Sequence, residues 1–347
     1  MTERSDEVLT RVAGNVGLIT LNRPKAINSL NQPMVDALRD VLARWADDDA
    51  VRTVLLTGAG DRGLCAGGDV VAIYHSARKD GVEARRFWRD EYLLDDQIGR
   101  FPKPFVAVMD GIVMGGGVGV SAHAGVRVVT DRSKVGMPEV GIGFVPDVGG
   151  AFLLARAPGE LGLHAALTGA PFSGADAIAM RFADHYVPHD RLEAFTRSIV
   201  DDGVEAALAD HAVEPPPSEL VGQRDWIDEC YSAETVTDIV ARLRNHQKGG
   251  GPAQAAADLI ATRSPTAVSV ALEAVRRAAK LDTLEDVLVQ DYRVSSASVH
   301  SHDLIEGIRA QLIDKDRNPK WSPATLTQIT PADVDAYFAP VQDDLNF

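Results

Sequence analysis

Residues 104–120, PFVAVMDGIVMGGGVGV, decide the fold of this chain. Pro104–Met109 is an uninterrupted apolar run of strand length, and Gly115-Gly116-Gly117 follows it. Val118–Ala124 then has the composition to open a helix. A strand that leads through glycine into a helix is the building unit of an α/β protein. Outward from this stretch, Val16–Leu21, Thr53–Thr57 and Val126–Thr130 read as further strands. Asn31 before Pro33 forms a cap and first-turn pair. Met34, Leu38, Val41, Leu42 and Trp45 follow at helical spacing. Strands and helices alternate up to the stiff connector Glu214-Pro215-Pro216-Pro217. Beyond it the pattern predicts helices over Glu234–Arg244, Pro265–Ala279 and Leu284 to about Val299, with Lys248–Pro252 as a glycine-rich loop. We divide the chain into a catalytic α/β core, residues 1–200, and a helical C-terminal region, residues 201–347.

The bulk properties exclude several classes of function. The chain has 347 residues, with 35 basic and 50 acidic side chains and a formal net charge of −15. Nucleic acid and anionic membrane are therefore not its expected partners, although a local basic patch could still take a small anion. Two cysteines, Cys65 and Cys230, cannot supply a disulfide framework and suit a reducing compartment. The first residues, Met1–Glu7, lack the apolar core of a signal peptide. No apolar run approaches the roughly 18 residues of a membrane span. A cytoplasmic location is expected.

The chemistry concentrates in three segments. Met137–Asp147, MPEVGIGFVPD, sets two carboxylates, Glu139 and Asp147, among apolar residues, Gly and Pro. Carboxylates are rarely buried unless they are paired or used. Gly115–Gly117 can bring backbone N–H groups close to a substrate oxygen. Gly63–Asp69, GLCAGGD, offers the same after another strand. Two such donors meeting on one oxygen form an oxyanion hole, the machinery of acyl chemistry. Cys65 has no His placed in sequence as its base and reads as a small packed thiol. Asp147 precedes Val148–Ala157, which looks helical, so it could cap that helix as well as act on substrate. His123 reads as packed or capping, and Asp69 as a loop-shaping residue. No cluster has metal-ligand spacing, and no metal or cofactor is expected.

These segments resemble the motifs of the crotonase (enoyl-CoA hydratase/isomerase) superfamily. Asn22–Asn28, NRPKAIN, is similar to its N-terminal CoA-site motif. The resemblance implies a spiral of ββα units with a helical C-terminal region, and an acyl-CoA substrate. It assigns the oxyanion N–H groups to Ala66 and Gly116, and catalysis to Glu139 and Asp147. It places Glu91, Gly116, Glu139, Asp147, Lys25, Ala26 and Gly68 at the substrate, Lys25 toward a CoA phosphate. Hydratases of this superfamily carry a glutamate where this chain has Gly119, so a two-glutamate water addition is not expected. The Asp147 context, Pro-Asp-Val-Gly-Gly, is similar to that of 3-hydroxyisobutyryl-CoA hydrolases of valine degradation. Glu285–Tyr292 and Glu306–Trp321 extend that similarity through most of the chain. The rival readings are an enoyl-CoA isomerase or hydratase, and a CoA-ester-binding protein without turnover. A homo-oligomer is left open.

Overall fold

The computed structural model describes residues 6–247 and 249–347. Residues 1–5, which bear on the leader reading, and Lys248 of the glycine-rich loop lie outside the described residues.

Among the described residues, nine strands form two sheets. They are β1 (Val8–Ala13), β2 (Val16–Leu21), β3 (Thr53–Gly58), β4 (Phe105–Met109), β5 (Ile112–Met114), β6 (Val126–Val129), β7 (Lys134–Gly136), β8 (Phe172–Ser173) and β9 (His185–Tyr186). The larger sheet runs β1-β2-β3-β4-β6-β9, and the smaller runs β5-β7-β8. β1 and β2 form an antiparallel hairpin, whereas β2, β3, β4, β6 and β9 are parallel neighbours. Parallel strands need crossover connections, and helices supply them here. The helix Gln32–Ala46 joins β2 to β3, with Asn31 accepting from the Met34 N–H as expected. The sheet core is built from Val16, Leu55, Val106, Val108, Val128 and Phe195. This is an α/β spiral of β–α repeats followed in sequence by a long helical region, the crotonase fold.

The chain divides into two compact units. Of the described residues, the first holds 6–68, 90–136 and 172–218, and contains the nine strands. The second holds the described residues of 69–89, 137–171 and 219–347, and is helical. These units cut across the linear division expected near residue 200, because segments 69–89 and 137–171 pack with the C-terminal helices. Helices of the second unit start where side-chain oxygens can cap them. Ser264, Thr283 and Ser301 accept from the N–H groups of Ala267, Asp286 and Leu304.

One expected loop is a helix. Gly250–Ala261 is α-helical, so Gly250, Gly251 and Pro252 form its first turn. The N–H groups of a first turn have no partner within the helix, so a proline there costs little. The alanines at 253 and 255–257 then propagate it.

Candidate active site

In the first unit, the N-terminal motif is a scaffold. Asn28 is buried, and its amide donates to the carbonyls of Ala59 and Gly63 at 3.0 and 3.1 Å. Its side-chain oxygen accepts the Arg23 N–H at 2.9 Å. Ile27 and Asn28 both take left-handed backbone angles, φ 50° and 54°. The motif thus fixes the start of the loop 63–68. Lys25 lies exposed in the short turn Pro24–Ala26.

The loop 63–68 corrects one assignment. The Ala66 N–H already donates to the Ile27 carbonyl at 2.9 Å, so it is not a free oxyanion donor. The Gly68 N–H is the better candidate. Among the described residues neither it nor the Gly116 N–H has an acceptor on the protein. A Cβ placed on Gly116 would lie 3.3 Å from the Gly68 nitrogen and would collide with Oε1 of Glu91. Gly68, Gly116 and Glu91 are therefore one cluster, and a side chain at 116 would have to displace the Glu91 carboxylate. Glu91 is only 2 % exposed, on the helix Val82–Gly99. Gly119 and its neighbours in the helix Gly116–Ala122 are buried, and His123 closes that helix.

Cys65 sits within this cluster but is no nucleophile. Burial, with a smaller contribution from the Glu91 charge, pushes its thiol up to about 12. A thiolate is the reactive form, so at neutral pH this residue is inert. The packed-thiol reading describes it.

In the second unit, Glu139 opens the 3-10 turn Glu139–Ile142. The turn is held from several sides. The Phe144 N–H donates to the Glu139 carbonyl at 3.0 Å, and the Ser264 N–H to the Val140 carbonyl at 3.4 Å. Phe144 stacks on Trp88 with ring centroids 5.3 Å apart. Gly143 closes the turn at φ 72°, where a Cβ would strike the carbonyl of Asp303. Glu139 and Asp147 are 7 % and 5 % exposed.

Asp147 does not occupy the cap position of the helix that follows. The helix after it is Gly150–Leu154, with Gly149 at the cap position and no side-chain cap. Instead Asp147 precedes two left-handed residues, Val148 at φ 52° and Gly149 at φ 70°. A β-branched residue in this region is strained by about 1–3 kcal/mol and persists only where its surroundings over-determine it. The Gly150 N–H donates to the Asp147 carbonyl at 2.6 Å, and the Gly149 N–H to Oδ2 of Asp291 at 2.9 Å.

Asp291 escaped the sequence reading. It lies on the helix Leu284–Ser298 and is 1 % exposed. Burial, and then the neighbouring Asp147 charge, hold its carboxyl well above the usual carboxylate range, against the pull of the Gly149 N–H. One signal for it was present. Asp291 falls on the stripe marked by Val287, Leu288 and Val294, where helical spacing calls for an apolar residue.

Comparison with known proteins establishes the family. A family model described as enoyl-CoA hydratase/isomerase matches residues 16–338. The chain belongs to that family, the crotonase superfamily, and is an enzyme that processes acyl-CoA thioesters. A mitochondrial 3-hydroxyisobutyryl-CoA hydrolase from Danio rerio is 37% identical, over 99% of this chain and 92% of the relative. Its Homo sapiens counterpart is 36% identical, over 100% and 92%. Among solved structures, a carnitinyl-CoA dehydratase from Mycobacterium thermoresistibile is 68% identical with a TM-score of 0.96, covering 99% of both chains. An enoyl-CoA hydratase from Rhodobacter sphaeroides is 36% identical with a TM-score of 0.93, covering 99% of this chain and 100% of that one.

These relatives overturn the expected cytoplasmic location, since the hydrolases are mitochondrial by name. The physical reason is plain. A targeting segment is removable, so the charge and cysteine content of the folded part do not report the compartment. Among the described residues no helix is long and apolar enough to cross a membrane.

Proposed function

We propose that this enzyme hydrolyses the thioester of a 3-hydroxyacyl-CoA, of which 3-hydroxyisobutyryl-CoA is the best candidate. In this reading the N–H groups of Gly68 and Gly116 take the thioester oxygen as it gains charge. Each such donor is worth about 2.7–4 kcal/mol of barrier. Glu139 either takes the proton of an attacking water or attacks the carbonyl carbon itself. The carbon–sulfur bond then breaks and the CoA thiolate leaves. In the general-base route it takes the proton that Glu139 removed from water and the acid is released directly; in the covalent route water hydrolyses the Glu139 anhydride, which frees the acid, restores the carboxylate and supplies the proton for the thiolate. Glu91 and Asp147 orient the hydroxylated acyl end, and Lys25 attracts a CoA phosphate.

The observation that carries this reading is the buried glycine at 119. Water addition in this family uses a carboxylate there, and this helix has none to offer. Glu139 and Asp147, both buried, remain as the acid–base pair. The full-length similarity to hydrolases adds support.

A second reading is that the enzyme adds or removes water at the acyl chain and leaves the thioester intact. The 68% identity to a protein called a dehydratase favours it, and that similarity is much the higher of the two. One pair of assays separates the readings. Free thiol is followed with 3-hydroxyisobutyryl-CoA, and loss of the conjugated enoyl absorbance with crotonyl-CoA. Thiol release without enoyl loss is the expected result. Enoyl hydration with the thioester intact establishes the second reading. Binding without either reaction would make the chain a CoA-ester-binding protein.

A further inference from the structure

We propose that Asp291 is a positioning residue for Asp147: by accepting the Gly149 N–H it pins the left-handed Val148-Gly149 pair, and so sets the direction in which the Asp147 side chain leaves the backbone. The inference rests on Asp147 taking part in the reaction, whichever of the two reactions that is.

The geometry supports it in three ways. Val148 is buried and β-branched, yet holds a φ of 52°, a conformation it does not adopt without restraint. Among the hydrogen bonds at the turn, two differ in origin. The bond from the Gly150 N–H to the Asp147 carbonyl is local. The bond from the Gly149 N–H to Asp291 reaches a different helix, so it ties the turn to a part of the unit distant in sequence. Finally, Asp291 is 1 % exposed and faces both Gly149 and the charge of Asp147. Burial and the Asp147 charge favour its neutral form, in which it still offers an acceptor oxygen to the Gly149 N–H. The residue that matters is then a carbonyl-like oxygen at this place, and asparagine should replace it.

The test is a cycle of variants in the full-length enzyme. Its readout is kcat and KM for whichever of thiol release or enoyl hydration the wild-type enzyme performs. Asp291→Asn keeps the acceptor and should stay within about threefold of wild type. Asp291→Leu removes the acceptor at similar volume and should lower kcat about a hundredfold while KM changes less than about threefold. Asp291→Ala, which suits a helix and removes the same oxygen, serves if the leucine variant does not fold. In an Asp147→Asn background the same substitution should lower kcat no further, because effects transmitted through one residue are not additive. An equal loss in both backgrounds, or an equal loss with asparagine and leucine, overturns the proposal. Should Asp147→Asn alone leave kcat unchanged, the fault lies with the reading of Asp147, which the cycle shows separately.

Discussion

Glu139 leaves the chain at the first residue of a short turn whose backbone is bonded to Phe144 and Ser264, so its direction is set before any substrate arrives. A group placed in this way contributes to the transition state more than to binding. Glu139→Gln is expected to lower kcat by about 10²–10⁴-fold with little change in KM, the range for a positioned acid–base group. Steady-state kinetics on the folded variant checks this, and an unchanged kcat removes Glu139 from the mechanism. At this scale the sequence was informative where chemistry and surroundings clash. Glu139 and Asp147 stand out because carboxylates sit among apolar residues. Ala66 and Gly68 could not be told apart by residue type. Which N–H is free depends on Ile27, whose carbonyl takes the Ala66 donor. Asp291 was hidden because its partner Gly149 lies in a distant segment, although its place on an apolar helix stripe could have marked it.

Among the elements, the turn Glu139–Ile142 ends in a glycine for a specific reason. Gly143 holds φ 72°, and any Cβ there would meet the Asp303 backbone. Gly143→Ala is therefore expected to destabilise the protein by at least about 2 kcal/mol, since alanine combines the left-handed strain with a clash against rigid backbone. Urea titration measures it, and a loss below about 0.5 kcal/mol would show that the loop yields. Strands β2, β3, β4 and β6 were legible to within a residue or so, because buried strands of a parallel sheet read as continuous apolar runs. The helix at Gly250–Ala261 was not. Its two glycines and its proline signal a turn, and the alanines that follow outweigh them.

For the whole molecule, acid stability follows from His164. Burial lowers this imidazole to about 4, and its ring packs edge-on against Trp226 and Tyr231. Its Nδ1 lies 2.9 Å from the Tyr231 hydroxyl. The unfolded chain takes up a proton near pH 6.5 that the fold refuses until about pH 4. Stability is thus full above pH 6.5 and is lost as pH falls toward 4, by roughly 3 kcal/mol for a shift of this size. Asp291 works in the opposite sense. Its raised carboxyl favours the fold at low pH, and that contribution fades as pH rises through its folded value. A His164→Gln chain should therefore lose less stability than wild type between pH 7 and 4.5 in urea unfolding. Equal losses would assign the acid limb to other groups. The α/β class was legible from alternation of elements. The grouping into units was not, because it depends on which distant helices the segments 69–89 and 137–171 pack with.

That grouping bears on how the chain comes into being. The segment carrying Glu139 and Asp147 is finished before half of the polypeptide has been synthesised. Yet its shape depends on Ser264, Asp291 and Asp303, which emerge much later. Chains are made at roughly 5–20 residues per second, and units assemble as their parts appear. A nascent or truncated chain lacking the residues after 284 has the two carboxylates but not the partner that restrains Val148. The segment is thus made early and takes form late, so on the proposed reading a ribosome-bound or prematurely terminated product would carry both carboxylates without the contact that aims one of them.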